Sequence, residues 1–419
     1  MSDDGGKHPL TDDHRQSDQD VVTPNKNDLY ISLLRLGDAK AASKFVNDQH
    51  LFSTPLSRND YNLIAAAISC GRTLGEGGDF ERAEAVQRKV VASHTHFNAE
   101  QHDDALSAKI DLASTLRVRG KLEEAMELQE NIYNLTRRKF GVSHESTLEA
   151  MFDLGHTYIQ RGKHAEAIVM LCEGITIGRR VWDNDNPETG RFEHELAVAL
   201  RSCGEYRQAL DLIPGAVDKL NRCLGPRHPD TLTATYTMAV LYKDLGLLGD
   251  AAAKFEDVLR RSEEAFPDGN IHVLRSRSSL AHVRSRQGRL AGSVEIQRHV
   301  LETMRTQFGD AHPDTLTAMA DLAETLRWTG DTAEAAGWYG LVFNKMSETF
   351  DKDAPEMIEA LSDYANSLLD EGKTIEAREK LAEVLRWSEE KFGHYHLHTV
   401  IPRNNLAAAY REEGKLECL

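Results

Sequence analysis

Gly372-Lys373-Thr374 has the last three residues of a phosphate-cradling loop, in which backbone N–H groups hold a nucleotide's phosphates and the lysine reaches the terminal ones. That motif needs a glycine five residues earlier, and Ser367 stands there. The stretch Gly75–Gly78 reads GEGG, but the dinucleotide-binding pattern then fails at Phe80. No H-E-x-x-H, no zinc-ligand spacing and no G-x-S-x-G occurs. The 18 histidines and 67 aspartates and glutamates thus converge on no catalytic pattern. The expectation is a chain that is not an enzyme, with no cofactor and no metal site. The five cysteines (Cys70, Cys172, Cys203, Cys223, Cys418) form no C-x-x-C pair and no framework, and read as reduced thiols of a cytosolic protein.

One local concentration of charge stands out, and it is basic. From Asn270 to Val294 there is no acid, yet the stretch holds Arg275, Arg277, Arg284, Arg286 and Arg289, in a chain of formal net charge −17. Arg275, His282 and Arg286 are spaced 7 and 4 residues apart (282 − 275, 286 − 282), so they share one face of a helix. Guanidinium groups on a rigid face suit carboxylates. Arg191 adds to the same zone. Farther on the sign reverses, with Asp321, Glu324, Asp363, Asn366 and Asp370, and with Trp328 and Asn405 among them. Such a surface would select a partner segment that is acidic or carries both signs of charge. Bland readings stand beside this one. The arginines suit a solvated face balanced by acids of neighbouring segments, and Arg284 suits a side chain whose apolar stem packs while its head reaches water. Asp111, Asp153, Asp321 and Asp363 each have Thr or Ser four residues on, which suits an intrahelical hydrogen bond.

What positions these residues is a strict repeat. Gly78, Gly120, Gly162, Gly204, Gly246, Gly288, Gly330, Gly372 and Gly414 follow at steps of 42 (120 − 78, and so on to 414 − 372). The heptapeptide HPDTLTA occurs at His228–Ala234 and again at His312–Ala318, two periods apart. Eight before the glycine stands a large apolar residue such as Leu154 or Leu322, seven before a small one such as Gly155 or Ala323, and four before mostly Leu or Tyr. Five after comes Ala or Ser. Apolar residues at these spacings on both sides of a glycine predict two amphipathic helices joined by a tight turn. Phe140, Leu224, Phe308 and Phe392, each followed by glycine, predict where the second helix stops. Pro and Asp of the heptapeptide suit the start of the next first helix, and its histidine reads as a loop residue rather than a metal ligand. Cations three before the glycine, such as Arg201 and Arg327, suit a helix C-terminus. Pro214 should kink the second helix of the fourth repeat. The fold expected is all-α: a right-handed superhelical solenoid of antiparallel helix hairpins, about nine repeats long.

Leu-Ala-x-x-Leu/Tyr-x-x-x-Gly followed by Ala resembles the tetratricopeptide repeat. The 42-residue form with HPDTL and a Phe-Gly end resembles the repeats of kinesin light chains, of nephrocystin-3-like proteins and of many proteins of filamentous fungi. The resemblance covers about residues 60–419. It implies a protein-interaction role, with the first helices lining a concave groove that takes a peptide or partner helix. Positions 13, 9, 6 and 2 before each glycine would then face the groove, opposite the apolar stripe. Two departures bear on partner choice. Residues 1–56 show no sustained heptads of the kind that bind a motor chain. Nine before the glycine, where related repeats often place asparagine, this chain has Asp111, Asp153, Glu195, Thr237, Ser279, Asp321, Asp363 and Asn405.

The domain reading is a disordered acidic tail at 1–27, a helical cap of degenerate half-repeat type at 28–59, and a superhelix at 60–419 whose last repeat is truncated. Net negative charge argues against nucleic acid and anionic membrane, and no apolar run is long enough to span a bilayer. The functional expectation is a cytosolic, non-catalytic scaffold or adaptor. Its candidate groove residues are Arg191, Arg275, His282, Arg286, Asp321, Glu324, Trp328, Asp363, Asn366, Asp370 and Asn405. A regulatory or self-associating module of a larger complex and a kinesin-light-chain-type cargo adaptor stand as alternatives.

Overall fold

The 42-residue period is a hairpin period. The computed structural model describes residues 67–72, 74, 79–96, 103–182, 186–290, 292–348, 355–394 and 397–412. The expected tail at 1–27 and cap at 28–59 lie outside the described residues, as do Gly78 and residues 413–419. The chain divides into two units, Met1–Ala99 and Glu100–Leu419. In the first, residues 67–72 are helical and precede α1 (Phe80–His96). Ala67, Cys70, Leu74, Ala83, Val86 and Val90 are buried there. The two segments approach closely, since a Cβ on Gly71 would lie 2.9 Å from Cγ of Gln87.

The second unit is a run of hairpins. Its helices are α2 (Asp103–Val118), α3 (Leu122–Phe140), α4 (Glu145–Gln160), α5 (His164–Val181), α6 (Pro187–Ser202), α7 (Tyr206–Leu224), α8 (Pro229–Asp244) and α9 (Leu248–Ala265). They continue as α10 (Ile271–Arg286), α11 (Ser293–Phe308), α12 (Pro313–Thr329), α13 (Thr332–Ser347), α14 (Pro355–Glu371), α15 (Thr374–Phe392) and α16 (Leu397–Glu412). Even-numbered members are the first helices of their repeats and odd-numbered members the second. No described residue is in a β-strand.

The turns explain the spacing. Gly246, at φ +74°, lets the chain reverse after α8, and the N–H of Leu247 then bonds the carbonyl of Tyr242 at 2.9 Å. The same bond closes every described hairpin, for instance Asp331 N–H to Leu326 carbonyl at 2.9 Å. The carbonyl belongs to the large residue four before the glycine, so one position both packs and caps. The small residue five after is fully buried wherever described: Ala125, Ala167, Ala209, Ala251, Ala335 and Ala377, with Ser293 nearly so. These alanines allow the second helix to lie close against its own first helix. Leu154, Leu322 and Leu326 fill the seam, each worth roughly 1.5–3 kcal/mol of burial. The helix α7 runs unbroken through Pro214.

The heptapeptide histidine is more than a loop residue: it caps a helix. The Nδ1 of His228 accepts the N–H of Asp230 at 3.2 Å, and that of His312 accepts the N–H of Asp314 at 3.2 Å. Asn186 and Asn270 do the same with side-chain oxygens, at 2.8 Å and 2.9 Å. Proline follows His228 and His312 as the first helical residue, where it loses no needed N–H.

Helices in this unit touch their next neighbour along the chain, and several first helices also touch the first helix of the next repeat. Direct contact joins α4 to α6, α6 to α8, α8 to α10, α10 to α12 and α14 to α16. Second helices of successive repeats make no comparable contact. Stacked hairpins whose first helices crowd while their second helices fan out curve with the first helices inside. The result is an all-α superhelical repeat fold.

Candidate protein-binding face

Along the first-helix face, polar side chains pair from one repeat to the next in fixed registers. The residue six before one glycine meets the residue nine before the next. Nδ1 of His156 lies 3.0 Å from Oε2 of Glu195, and the amide of Asn405 donates to Oδ1 of Asn366 at 2.7 Å. Nδ1 of His282 lies 3.8 Å from Oδ1 of Asp321, and its Nε2 lies 3.5 Å from Glu324. Where valine takes the first place (Val198, Val240), the hydroxyl opposite is claimed by the residue ten before the glycine. His194 meets Thr237 at 2.9 Å, and Tyr236 meets Ser279 at 2.7 Å. A third register joins Arg201 to Asp244 at 2.6 Å and Arg327 to Asp370 at 2.5 Å. The cations three before the glycine therefore tie repeats together as well as sitting at a helix end.

The electrostatics follow the pairing. Burial pushes the Glu195 carboxyl upward, but His156, His194 and Arg117 together hold it down at about 2. Burial pushes His194 down and the Tyr236 phenol up. One register step is different. Between α12 and α14 it sets Glu324 toward Asp363, two acids. Burial first, then Glu359 and Glu324, raise Asp363 to about 7, and Arg327 only partly opposes them.

The basic stretch of α10 is mostly neutralised by neighbours. Arg277 binds Glu263 at 2.6 Å, and Arg284 binds Glu256 at 2.9 Å, both on α9. Arg275 lies over the Tyr236 ring, 4.2 Å from its centroid, and stands 3.7 Å from Asp314. Arg191 repeats that arrangement two periods earlier, over Phe152 at 5.2 Å and 3.6 Å from Asp230, with Glu188 at 3.1 Å. Each of these two arginines thus sits on a ring of the repeat before and reaches an acid of the repeat after. Arg286 is exposed and has no ion pair among the described residues.

The candidate residues therefore separate into kinds. His282 is 1% exposed, so it lies beneath the face rather than on it. Asp321 is also buried, and Asn366, Asn405 and Asp370 are engaged in the inter-repeat bonds just given. Trp328 is 61% exposed, Glu324 is half-buried, and Asp363 has no hydrogen bond among the described residues. The expected hydroxyl-to-aspartate bonds form with the main chain instead. Thr157 donates to the carbonyl of Asp153 at 3.1 Å and Thr325 to that of Asp321 at 3.0 Å, whereas Ser367 donates to the carbonyl of Tyr364. A short side chain in a helix reaches the carbonyl of the preceding turn more easily than a carboxylate pointing away from it. The aspartate carboxylates are left for other partners. Sequence reading missed the inter-repeat registers. Their signal was present: histidine six before one glycine goes with an acid nine before the next, and asparagine with asparagine. Among the described residues, no group of three or more His, Cys, Asp or Glu side chains is placed to hold a metal ion, and no helix is long and apolar enough to cross a membrane.

Several solved structures resemble this chain. The chain is similar to nearly identical TPR-like repeats of a protein described as a kinesin light chain from Podosopora anserina. Identity there is 24%, over 49% of this chain and 98% of that one, with a TM-score of 0.39. It is also similar to Rap protein complexed with competence and sporulation factor (11% identity, 93% of this chain, 98% of that one, TM-score 0.53). The apo form of RapI matches at 9% identity over 68% of this chain and 97% of that one, with a TM-score of 0.53. At such identities the Rap proteins share the fold alone. No curated protein matches the chain. The tetratricopeptide repeat family matches residues 103–180, 188–264, 272–342 and 356–417, each stretch beginning in one 42-residue period and ending in the next. This chain belongs to the tetratricopeptide repeat family.

Proposed function

We propose that the chain is a non-catalytic scaffold or adaptor, which holds a segment of a partner protein, as peptide or helix, against its first-helix face. The observation that carries this reading is Trp328. On a face where polar groups are largely tied to neighbouring repeats, this indole is 61% exposed. It stands one repeat on from Arg286, at the same position of its helix. An indole left in water contributes little to folding, and Trp and Arg are the residues that most often dominate binding energy. Coulombic attraction from Arg286 should make the binding salt-sensitive. We take the protein to act in the cytosol, where Cys70, Cys172, Cys203 and Cys223, none of them in a disulfide, stay reduced.

The test places a photo-crosslinking amino acid at position 328 or, on the second helix α5, at Val169, which is 67% exposed. In the native cell, adducts with a partner are expected from position 328 and not from 169, and Arg286→Glu should diminish them. Adducts from 169 alone would move the binding surface to the second helices and end this reading.

A further inference from the structure

The register that pairs first helices is acid against acid at one step. From six before one glycine to nine before the next, the pairs are Ser114 with Asp153, His156 with Glu195, Val198 with Thr237, Val240 with Ser279, His282 with Asp321 and Asn366 with Asn405. Each is complementary or neutral. Only the step from α12 to α14 opposes two carboxylates, Glu324 and Asp363, and Glu359 on α14 adds a third. The cation acting on Asp363 is Arg327, and Arg327 is already bonded to Asp370. Like charges brought together in a partly desolvated site cost free energy unless a counter-charge arrives.

On α10 the imbalance has the opposite sign. Arg275, Arg277 and Arg284 have acidic neighbours, whereas Arg286 has none among the described residues. Trp328 on α12 occupies the same helical position as Arg286 on α10, and these two helices are in direct contact. Among the described residues, three consecutive first helices therefore present a cation without an ion pair, an exposed indole, and two facing acids of which Glu324 has His282 at 3.5 Å while Asp363 has no ion pair, in that order.

Resting on the reading of this face as a binding surface, we propose that α10, α12 and α14 dock an extended segment of a partner protein bearing an acidic, an apolar and a basic side chain in series. The acid meets Arg286, the apolar group covers Trp328, and a lysine or arginine enters between Glu324 and Asp363. Packed helix axes lie roughly 8–10 Å apart, a spacing that applies to α10 and α12, which touch, and is a lower bound for α12 and α14, which make no comparable contact; residues along a helix rise about 1.5 Å each. The acid and the base are then about 15 Å or more apart, which an extended chain spans in roughly five residues. Specificity arises from repulsion as much as attraction: an all-acidic segment meets Glu324 and Asp363, and an all-basic one meets Arg286.

The experiment uses the full chain and fluorescently labelled synthetic peptides of equal length, each with a central leucine and two test positions five apart. The test positions hold acid and base, two acids, two bases, or two serines, and anisotropy reads affinity. The wild type is expected to bind the acid–base peptide about tenfold more tightly than the other three. Arg286→Glu should shift the preference to the two-base peptide and Glu324→Lys to the two-acid peptide, and Trp328→Ala should weaken all four. Circular dichroism checks that each variant keeps its helicity, and Glu324→Gln, a milder change, should abolish the preference for a base at that end. Equal affinity for the four peptides, binding of none, or unchanged preference in folded variants would overturn the proposal. If crosslinking at position 328 persists while the peptides are not discriminated, this inference falls and the binding face stands; loss of both removes both.

Discussion

At the residue scale, the clearest feature is a carboxyl that holds its proton up to about neutral pH. Asp363, raised to about 7 by burial and by Glu359 and Glu324, contrasts with Glu195, held at about 2 by histidines despite burial. Both lie nine before their glycines, so position alone does not set their behaviour; burial and the charges gathered around each do. The sign for Asp363 follows from linkage. The folded chain holds this proton while the unfolded chain, at the ordinary value of 3.8, has released it. Stability from this group is thus full below about pH 4 and is lost as pH rises through about 7. Asp363→Asn should therefore leave the melting temperature nearly unchanged at pH 4 relative to wild type and raise it at pH 8. With allowance for partial exposure, the gain is about 1–2 kcal/mol. Thermal melts of both proteins across this range decide it, and a variant equally destabilised at both pH values would contradict the assignment.

At the element scale, hairpins depend on small residues where helices cross. A Cβ on Gly174 of α5 would collide with the ring of Phe192 on α6. That ring is itself held edge-on by Phe152, with centroids 5.3 Å apart. Gly215 of α7 has nothing within 4 Å of the corresponding position. Gly174→Ala is expected to destabilise by roughly 1–3 kcal/mol through overpacking. Gly215→Ala should stabilise by about 0.5–1 kcal/mol, because alanine gives up less backbone entropy in a helix. Urea unfolding of the two variants side by side measures the contrast. Both glycines lie within second helices, yet neither sequence position nor helix propensity separates them; only the approach of Phe192 does. Helix ends were more legible. His-Pro-Asp marked each start it occupied, because proline and an early acid are locally favoured there whatever the helix later packs against. That the histidine ring itself caps the helix depends on a backbone conformation the letters do not show.

At the scale of the whole second unit, substantial contacts join helices adjacent along the chain or one further on. Stability should then be close to a sum of hairpin and interface terms rather than a single cooperative core. Hydrogen exchange followed by mass spectrometry is expected to show protection that differs from one repeat to the next along the unit. Uniform protection that is lost in one step along its whole length would contradict this. The inter-repeat pairs also have a directional consequence. They fasten first helices to one another on the inner side: Asp370 and Asn405 are tied into them, whereas Arg286 and Trp328 are left exposed.

The sequence by itself determined the period, the hairpins, the turn glycines and the family, because each rests on local rules: amphipathic spacing, glycine at positive φ, proline at a helix start. It also named the polar face of the first helices, but not that positions opposite the apolar stripe are themselves covered where the first helix of the next repeat packs on them, as at His282 and Asp321. Only the tertiary structure decided which of those residues are spent. His282 and Asp321 are buried beneath the face, Arg277 and Arg284 answer acids of α9, and Glu324 confronts Asp363. Those outcomes depend on partners tens of residues away in the chain. The physical reason is that a side chain's spacing fixes the direction in which it points, whereas its charge and hydrogen bonds are settled by whatever the neighbouring repeat brings within reach.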